Sequence, residues 1–203
     1  MRSGNFESRG DYKAAKYGMW FFLYTELLFF GGMFLLYSIY RSRYAPAFHM
    51  AAAEENVVLG SINTVVLLTS SLAIAISITA VRRGKVMLST FLQGLTVLMG
   101  IAFLVVKYFE WSSKIVKGIY PNSPVLLKMS PGEILFFGLY YVMTGIHGLH
   151  VLIGVVVISF MIYFTATGNI TQNNFSKLEN TGLYWHFVDI VWIYLFPLFY
   201  LIT

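Results

Sequence analysis

Five long apolar runs divide the chain, and polar or breaker-rich segments separate them. The runs cover residues 17–40, 57–81, 88–111, 133–166 and 182–202. Each reaches the roughly 20 residues that an α-helix needs to cross the hydrocarbon core of a bilayer. The fourth run is longer, so we expect its helix to tilt or to extend into water. The pattern predicts an all-α fold, a polytopic membrane helical bundle with five transmembrane helices.

The segments between the runs are short and read as connections rather than as linkers between domains. They cover residues 41–56, 82–86, 112–132 and 167–181. Pro46 interrupts the first, and the second is a tight Arg-Arg-Gly-Lys turn. Because there is no internal repeat and no soluble segment, residues 1–203 are predicted to form a single membrane domain.

Composition agrees with a bilayer environment. Of the 203 residues, 58% are hydrophobic and 11% are charged, whereas a soluble domain usually carries about 25% charged residues. The chain has no cysteine, which excludes disulfides, thiol catalysis, iron–sulfur clusters and copper sites built on thiolates. No small-residue cleavage site ends the first run, so we expect a retained membrane helix rather than a signal peptide.

The basic residues fall mainly between the apolar runs, which suits loops facing anionic lipid better than a nucleic-acid surface. Eight lie on the side of the N-terminus: Arg2, Arg9, Lys13, Lys16, Arg82, Arg83, Lys85 and Lys177. Six lie on the other side: Arg41, Arg43, Lys107, Lys114, Lys117 and Lys128. The excess predicts a cytoplasmic N-terminus and a periplasmic C-terminus in a bacterial inner membrane.

Glu26 lies near the middle of the first apolar run. A charged group at that depth costs at least about 2.5–3.5 kcal/mol, so Glu26 must be neutral or face a partner or water inside the assembly. It is either a proton-exchanging carboxylate or a protonated acid that is hydrogen-bonded within the bundle.

Three histidines and a second acid lie in the last two runs. His147 and His150 are three residues apart, as are His186 and Asp189, so each pair occupies one helix face. Such groups can bind a metal or a haem, but neither spacing is specific for that role. A buried hydrogen-bond network that pins helices together is the favoured interpretation.

Glu110 lies near the outer end of the third run, three residues after Lys107 and next to Trp111. This pattern is typical of an interfacial ion pair with an aromatic anchor. In the second run, small polar residues such as Ser70 and Ser71 are expected to serve helix packing. The chain has no nucleophile–base pair, no phosphate loop and no nicotinamide fingerprint.

Five segments carry a family likeness, and they lie at 25–30, 63–71, 100–111, 144–154 and 184–192. The most specific is Tyr-Trp-His-Phe-Val-Asp-Ile-Val-Trp at 184–192, followed by Thr-Gly-Ile-His-Gly-Leu-His from 144. With these segments in this order, the chain resembles subunit III of cytochrome c oxidase, a haem–copper oxidase, from residue 16 to residue 201. It resembles a short, five-helix form of that family.

The resemblance implies an accessory subunit without haem or copper of its own. The haems and copper belong to partner chains, the catalytic subunit I and subunit II, and the subunit holds bound phospholipid and supports proton uptake. By position, Glu26 matches the family's intramembrane carboxylate. The other polar positions that match the family, without a bond-making role, are His147, His150, His186 and Asp189.

Two departures leave alternatives open. Many family members have two further N-terminal helices, which form one wall of the lipid cleft, and many have glutamine at the position of Lys107.

Five-helix relatives also serve quinol oxidases or accompany nitric oxide reductases. Two readings of another class are a bis-histidine haem membrane protein and a small proton-coupled transporter.

Overall fold

The computed structural model describes residues 4–201, with side chains from residue 13 onward. The helices are α1 (Gly4–Arg43), α2 (Ala45–Ala52), α3 (Val57–Arg82), α4 (Val86–Val116), α5 (Pro131–Ala166) and α6 (Ser176–Phe196). A 3₁₀ turn at Leu126–Lys128 precedes α5, and a π-helical turn at Pro197–Leu201 follows α6. All except α2 are long and apolar enough to cross a membrane, which confirms the all-α fold with five spans.

Some predicted positions fall outside the described part of the chain. Ile202, the predicted end of the last run, and Arg2 lie outside the described residues, and Arg9 lies outside the described side chains.

The helices extend beyond the apolar runs, so the predicted connections are shorter than expected. Pro46 does not break the chain between the first two spans but lies in the first turn of α2, where proline's missing N–H costs nothing. At the other end of the bundle, α6 begins at Ser176 inside the predicted 167–181 connection. Helix α4 continues to Val116, so Lys114 is a helix residue rather than a loop residue.

Local signals set the ends of the helices. Gly84 has a φ of 74° between α3 and α4, a backbone conformation that favours glycine, and the N–H of Lys85 reaches the carbonyl of Ala80 at 2.9 Å. Helix α5 starts with a capping box in which Ser130 and Glu133 bond each other's backbone N–H groups.

Helices α3, α4, α5 and α6 form the bundle, and α1 packs on its outside against α5 and α6. The centre is aromatic, since Trp185 and Trp192 are both almost fully buried. Glycines admit the Trp185 ring: a Cβ atom on Gly100 would lie 2.8 Å from it, and one on Gly154 would lie 2.7 Å from it. Small residues allow this close approach between membrane helices.

Helix α4 has its polar residues on the buried side, the reverse of a helix at a water-exposed surface. Its buried positions recur every three or four residues: Ser89, Gln93, Thr96, Gly100, Phe103, Lys107, Glu110 and Lys114. Because the surrounding lipid offers no hydrogen bonds, these polar groups find their partners inside the bundle.

Candidate functional site: polar pairs inside the helix bundle

Glu26 and His150 form a pair that joins α1 to α5. The Nε2 atom of His150 lies 3.2 Å from Oε2 of Glu26, and the two side chains are 14% and 19% exposed. The other ring nitrogen, Nδ1, lies 2.8 Å from the carbonyl oxygen of Ile146. A carbonyl only accepts, so Nδ1 carries a proton. Nε2 is then the ring nitrogen that faces the Glu26 carboxyl.

His147 lies three residues from His150 but in a different environment. It is fully buried, its ring stacks on Trp192 with centroids 5.3 Å apart, and it meets the edge of Phe103. Neither ring nitrogen has a hydrogen-bond partner within the described chain. The two histidines therefore do not converge on one ligand position: His150 faces α1 and His147 faces the core.

His186 bonds α3 rather than the acid on its own helix. Its Nδ1 atom lies 2.6 Å from the hydroxyl of Ser71. Asp189 is 3% exposed, and no hydrogen bond of standard geometry reaches its carboxyl oxygens within the described chain. His186 and Asp189 therefore do not bond each other; Ser71 on the neighbouring helix bonds the imidazole and also lies near the Asp189 carboxyl.

Two tryptophans repeat this link between α6 and α3. The indole N–H of Trp185 donates to the hydroxyl of Ser70 at 2.9 Å, and that of Trp192 donates to Thr64 at 3.0 Å. Thr64, Ser70 and Ser71 of α3 thus do more than allow close packing, since each bonds an aromatic or imidazole side chain of α6.

Glu110 and Lys107 form the ion pair that their spacing predicted, but it is buried among the helices. They are 5% and 8% exposed, and their charged atoms lie 3.3 Å apart. The hydroxyls of Tyr140 and Tyr200 donate to Glu110 Oε1 at 2.6 and 2.5 Å. The Lys107 ammonium also lies 4.9 Å from the centroid of Trp192. The helix continues beyond Glu110, which carries the pair into the bundle.

A second buried ion pair was not foreseen from the sequence. Lys114 Nζ lies 2.8 Å from Oε1 of Glu55, whose side chain is 0% exposed. The signal for it was available, because Lys107, Glu110 and Lys114 follow the same three- and four-residue spacing along α4. Counting Lys114 as part of a loop concealed that spacing.

The histidines and acids of the described residues do not form one cluster. Within the described residues, no group of three or more His, Cys, Asp or Glu side chains could hold a metal ion. That this chain binds no haem or copper stays a prediction.

The fold and these buried contacts define a polytopic membrane protein in which polar side chains link different helices. A family model described as cytochrome c oxidase subunit III matches residues 5–203. The chain belongs to this family, as the sequence segments indicated, and is a subunit III of the haem–copper oxidase type.

Relatives carry the names of two oxidase types. A cytochrome c oxidase subunit 3 of Synechocystis is 34% identical over 191 residues, covering 92% of this chain and 75% of the relative. A probable quinol oxidase subunit 3 of Staphylococcus haemolyticus is 33% identical over 189 residues, covering 92% and 88%.

A heme-copper oxidase subunit I+III of Aeropyrum pernix is 33% identical over 192 residues, covering 91% of this chain. The match spans only 22% of that relative's length.

Proposed function

We propose that this chain is the accessory, non-redox subunit III of a proton-pumping cytochrome c oxidase in aerobic respiration. It packs against the catalytic subunit I and subunit II, which hold the haems and copper. Family membership supports this proposal, and so does a relative whose name joins subunits I and III. The observation that carries a role beyond scaffolding is the Glu26–His150 pair, because it places a carboxyl 3.2 Å from an imidazole between two membrane-spanning helices.

Quinol as the electron donor is the second candidate. Relatives named as cytochrome c and as quinol oxidase subunits match with similar identity and coverage. The Trp-His-Phe-Val-Asp segment and a glutamate rather than an aspartate at position 26 favour the cytochrome c type. A homologue that accompanies a nitric oxide reductase is a further alternative.

Phospholipid binding and support of proton uptake belong to the same proposal. Helix α1 presents most of its length to the bilayer, and a groove of about 290 Å³ lies between α1 and α6. Trp20, Leu27 and Ile190 line this groove together with His186. An acyl chain suits the apolar lining, and the Glu26–His150 pair on the α5 side of α1 suits proton exchange.

The proposed orientation places the N-terminus in the cytoplasm and the C-terminus in the periplasm of a bacterial inner membrane. Two of the six basic residues on the C-terminal side, Lys107 and Lys114, are buried in ion pairs. That leaves four basic residues at that end to meet lipid head groups. The excess of basic residues on the N-terminal side is therefore larger than the sequence count alone gives.

Purification of the tagged chain from its native membranes tests the proposal. We expect a haem-containing subunit and a chain with a dicopper centre to co-purify with it. The isolated chain should have no Soret band. Stoichiometric haem in the isolated chain would support the bis-histidine alternative and contradict ours. Proton-coupled transport by the chain alone in liposomes, with no stable partner, would support the transporter alternative.

Replacing Glu26 with glutamine should leave initial oxygen reduction by the complex intact and reduce sustained turnover or proton uptake. Glutamine keeps the hydrogen bond to His150 but cannot exchange a proton. Oxygen consumption and proton uptake over many turnovers measure this, and His150→Gln should have the same effect because it removes the imidazole that contacts Glu26. Loss of the haem spectrum in Glu26→Gln would contradict the assignment of Glu26 as a non-ligand.

A further inference from the structure

The buried Glu55–Lys114 pair lies where the connection between α2 and α3 meets the end of α4. Glu55 directly precedes Asn56, whose side chain caps the start of α3 by accepting from the N–H of Leu59 at 3.1 Å. The neighbouring Glu54 is 57% exposed and lies 3.8 Å from Lys117. Glu55 is therefore a fully covered carboxyl just outside a membrane span and one residue from the aqueous surface.

The two buried carboxyls at this end of the bundle are satisfied to different degrees. Glu110 accepts from two tyrosine hydroxyls and from Lys107. Within the described chain, Lys114 is the one donor in contact with Glu55. Protonation of Glu55 therefore weakens fewer hydrogen bonds and ion pairs than protonation of Glu110 would, because fewer donors contact the Glu55 carboxylate.

Three elements near Glu55 carry ionisable groups that interact with it. Helix α4 provides Lys107, Glu110 and Lys114, α5 provides Tyr140 and Tyr141, and the π-helical turn provides Tyr200. Burial raises the pKa of Glu55 to about 7, and the Lys114 ammonium opposes this rise only in part. The charge of Glu110 adds to the rise.

Lys114 has a second favourable environment that does not need the carboxylate. Its ammonium lies 5.3 Å from the centroid of the Tyr140 ring and 5.8 Å from that of Phe137. Cation–π contacts stabilise an ammonium, and more strongly where water is excluded. Neutralising Glu55 therefore does not leave Lys114 without a counterpart.

We propose that Glu55 is a proton-binding site at this end of the bundle, which takes a proton from the adjacent aqueous phase and thereby breaks its ion pair with Lys114. The proton adds to a carboxylate oxygen, and the charge of the four-residue cluster of Glu55, Lys107, Glu110 and Lys114 rises by one. No bond other than this O–H bond forms. The site is separate from the Glu26–His150 pair and independent of the electron donor.

Infrared difference spectroscopy of the full chain in lipid nanodiscs tests this site. Between about pH 5 and about pH 9, we expect a protonated-carboxyl band that titrates with a midpoint near 7. The band should vanish in Glu55→Gln, a variant that resembles the protonated side chain in shape. It should persist in Glu54→Gln, the matched exposed neighbour. A band that Glu55→Gln leaves in place, or one that titrates with an ordinary carboxyl midpoint, would overturn the proposal.

Two further measurements keep the test decisive if Glu55→Gln folds poorly. In Lys114→Gln the midpoint should move to higher pH, since the cation that favours the charged carboxylate is gone. The pKa of Glu55 in the folded chain lies above its usual value of 4.5. The contribution of Glu55 to the free energy of unfolding is therefore largest below pH 4.5. This contribution is lost as the pH rises through about 7. An unchanged midpoint in Lys114→Gln would contradict the site.

Discussion

Replacing Glu110 with alanine should lower the free energy of unfolding by about 3–5 kcal/mol, the usual cost of breaking a buried ion pair from one side. The Lys107 ammonium would stay buried without its counter-ion, and the hydroxyls of Tyr140 and Tyr200 would lose their acceptor. Thermal or denaturant unfolding in nanodiscs measures the change.

Two variants make this result specific. Glu54→Ala removes an exposed carboxylate 3.8 Å from Lys117 and should change stability little, because exposed ion pairs contribute little. A double variant, Lys107→Met with Glu110→Leu, should recover much of the loss, because a neutral apolar pair removes the stranded charge. An equally unstable double variant would indicate that shape, rather than charge, dominates this region.

Replacing Trp185 with alanine should cost about 3–5 kcal/mol, as for other fully buried tryptophans. The ring lies between the glycines of α4 and α5 at positions 100 and 154, and its N–H bonds Ser70 on α3. Its loss leaves a cavity where four helices meet. The temperature at which the helices unfold, followed by circular dichroism, reports the effect.

Trp20→Ala is the matched control, because the same side chain on α1 is 56% exposed. It should leave the unfolding temperature nearly unchanged. Equal losses from the two variants would mean that Trp185 does not hold the four helices together.

The length of the apolar runs predicted the spans well, because bilayer thickness dictates the length of a membrane helix. Helix ends were predicted less well. Pro46 was taken as a breaker, although proline is also favoured in a first helical turn. Lys114 was assigned to a loop because it is charged, yet α4 carries it into the bundle, where Glu55 provides the opposite charge.

The polar residues of the candidate site could be named from the sequence, but which of them contact one another could not. Glu26 was expected to need a partner, and His150 lies 124 positions away in sequence, beyond the reach of any local pattern. His186 and Asp189 share one face of α6, but the imidazole of His186 bonds Ser71 of α3 instead of Asp189. Partners on different helices are set by tertiary packing, which spacing within one helix does not encode.

The long separation between Glu26 and His150 has a consequence for biogenesis. Ribosomes add about 5–20 residues per second, so the 124 residues between them take roughly 6–25 seconds to synthesise. Helix α1 is synthesised that long before the residue that contacts its acid. We therefore expect docking of α1 onto α5 to be among the last steps in folding of the bundle.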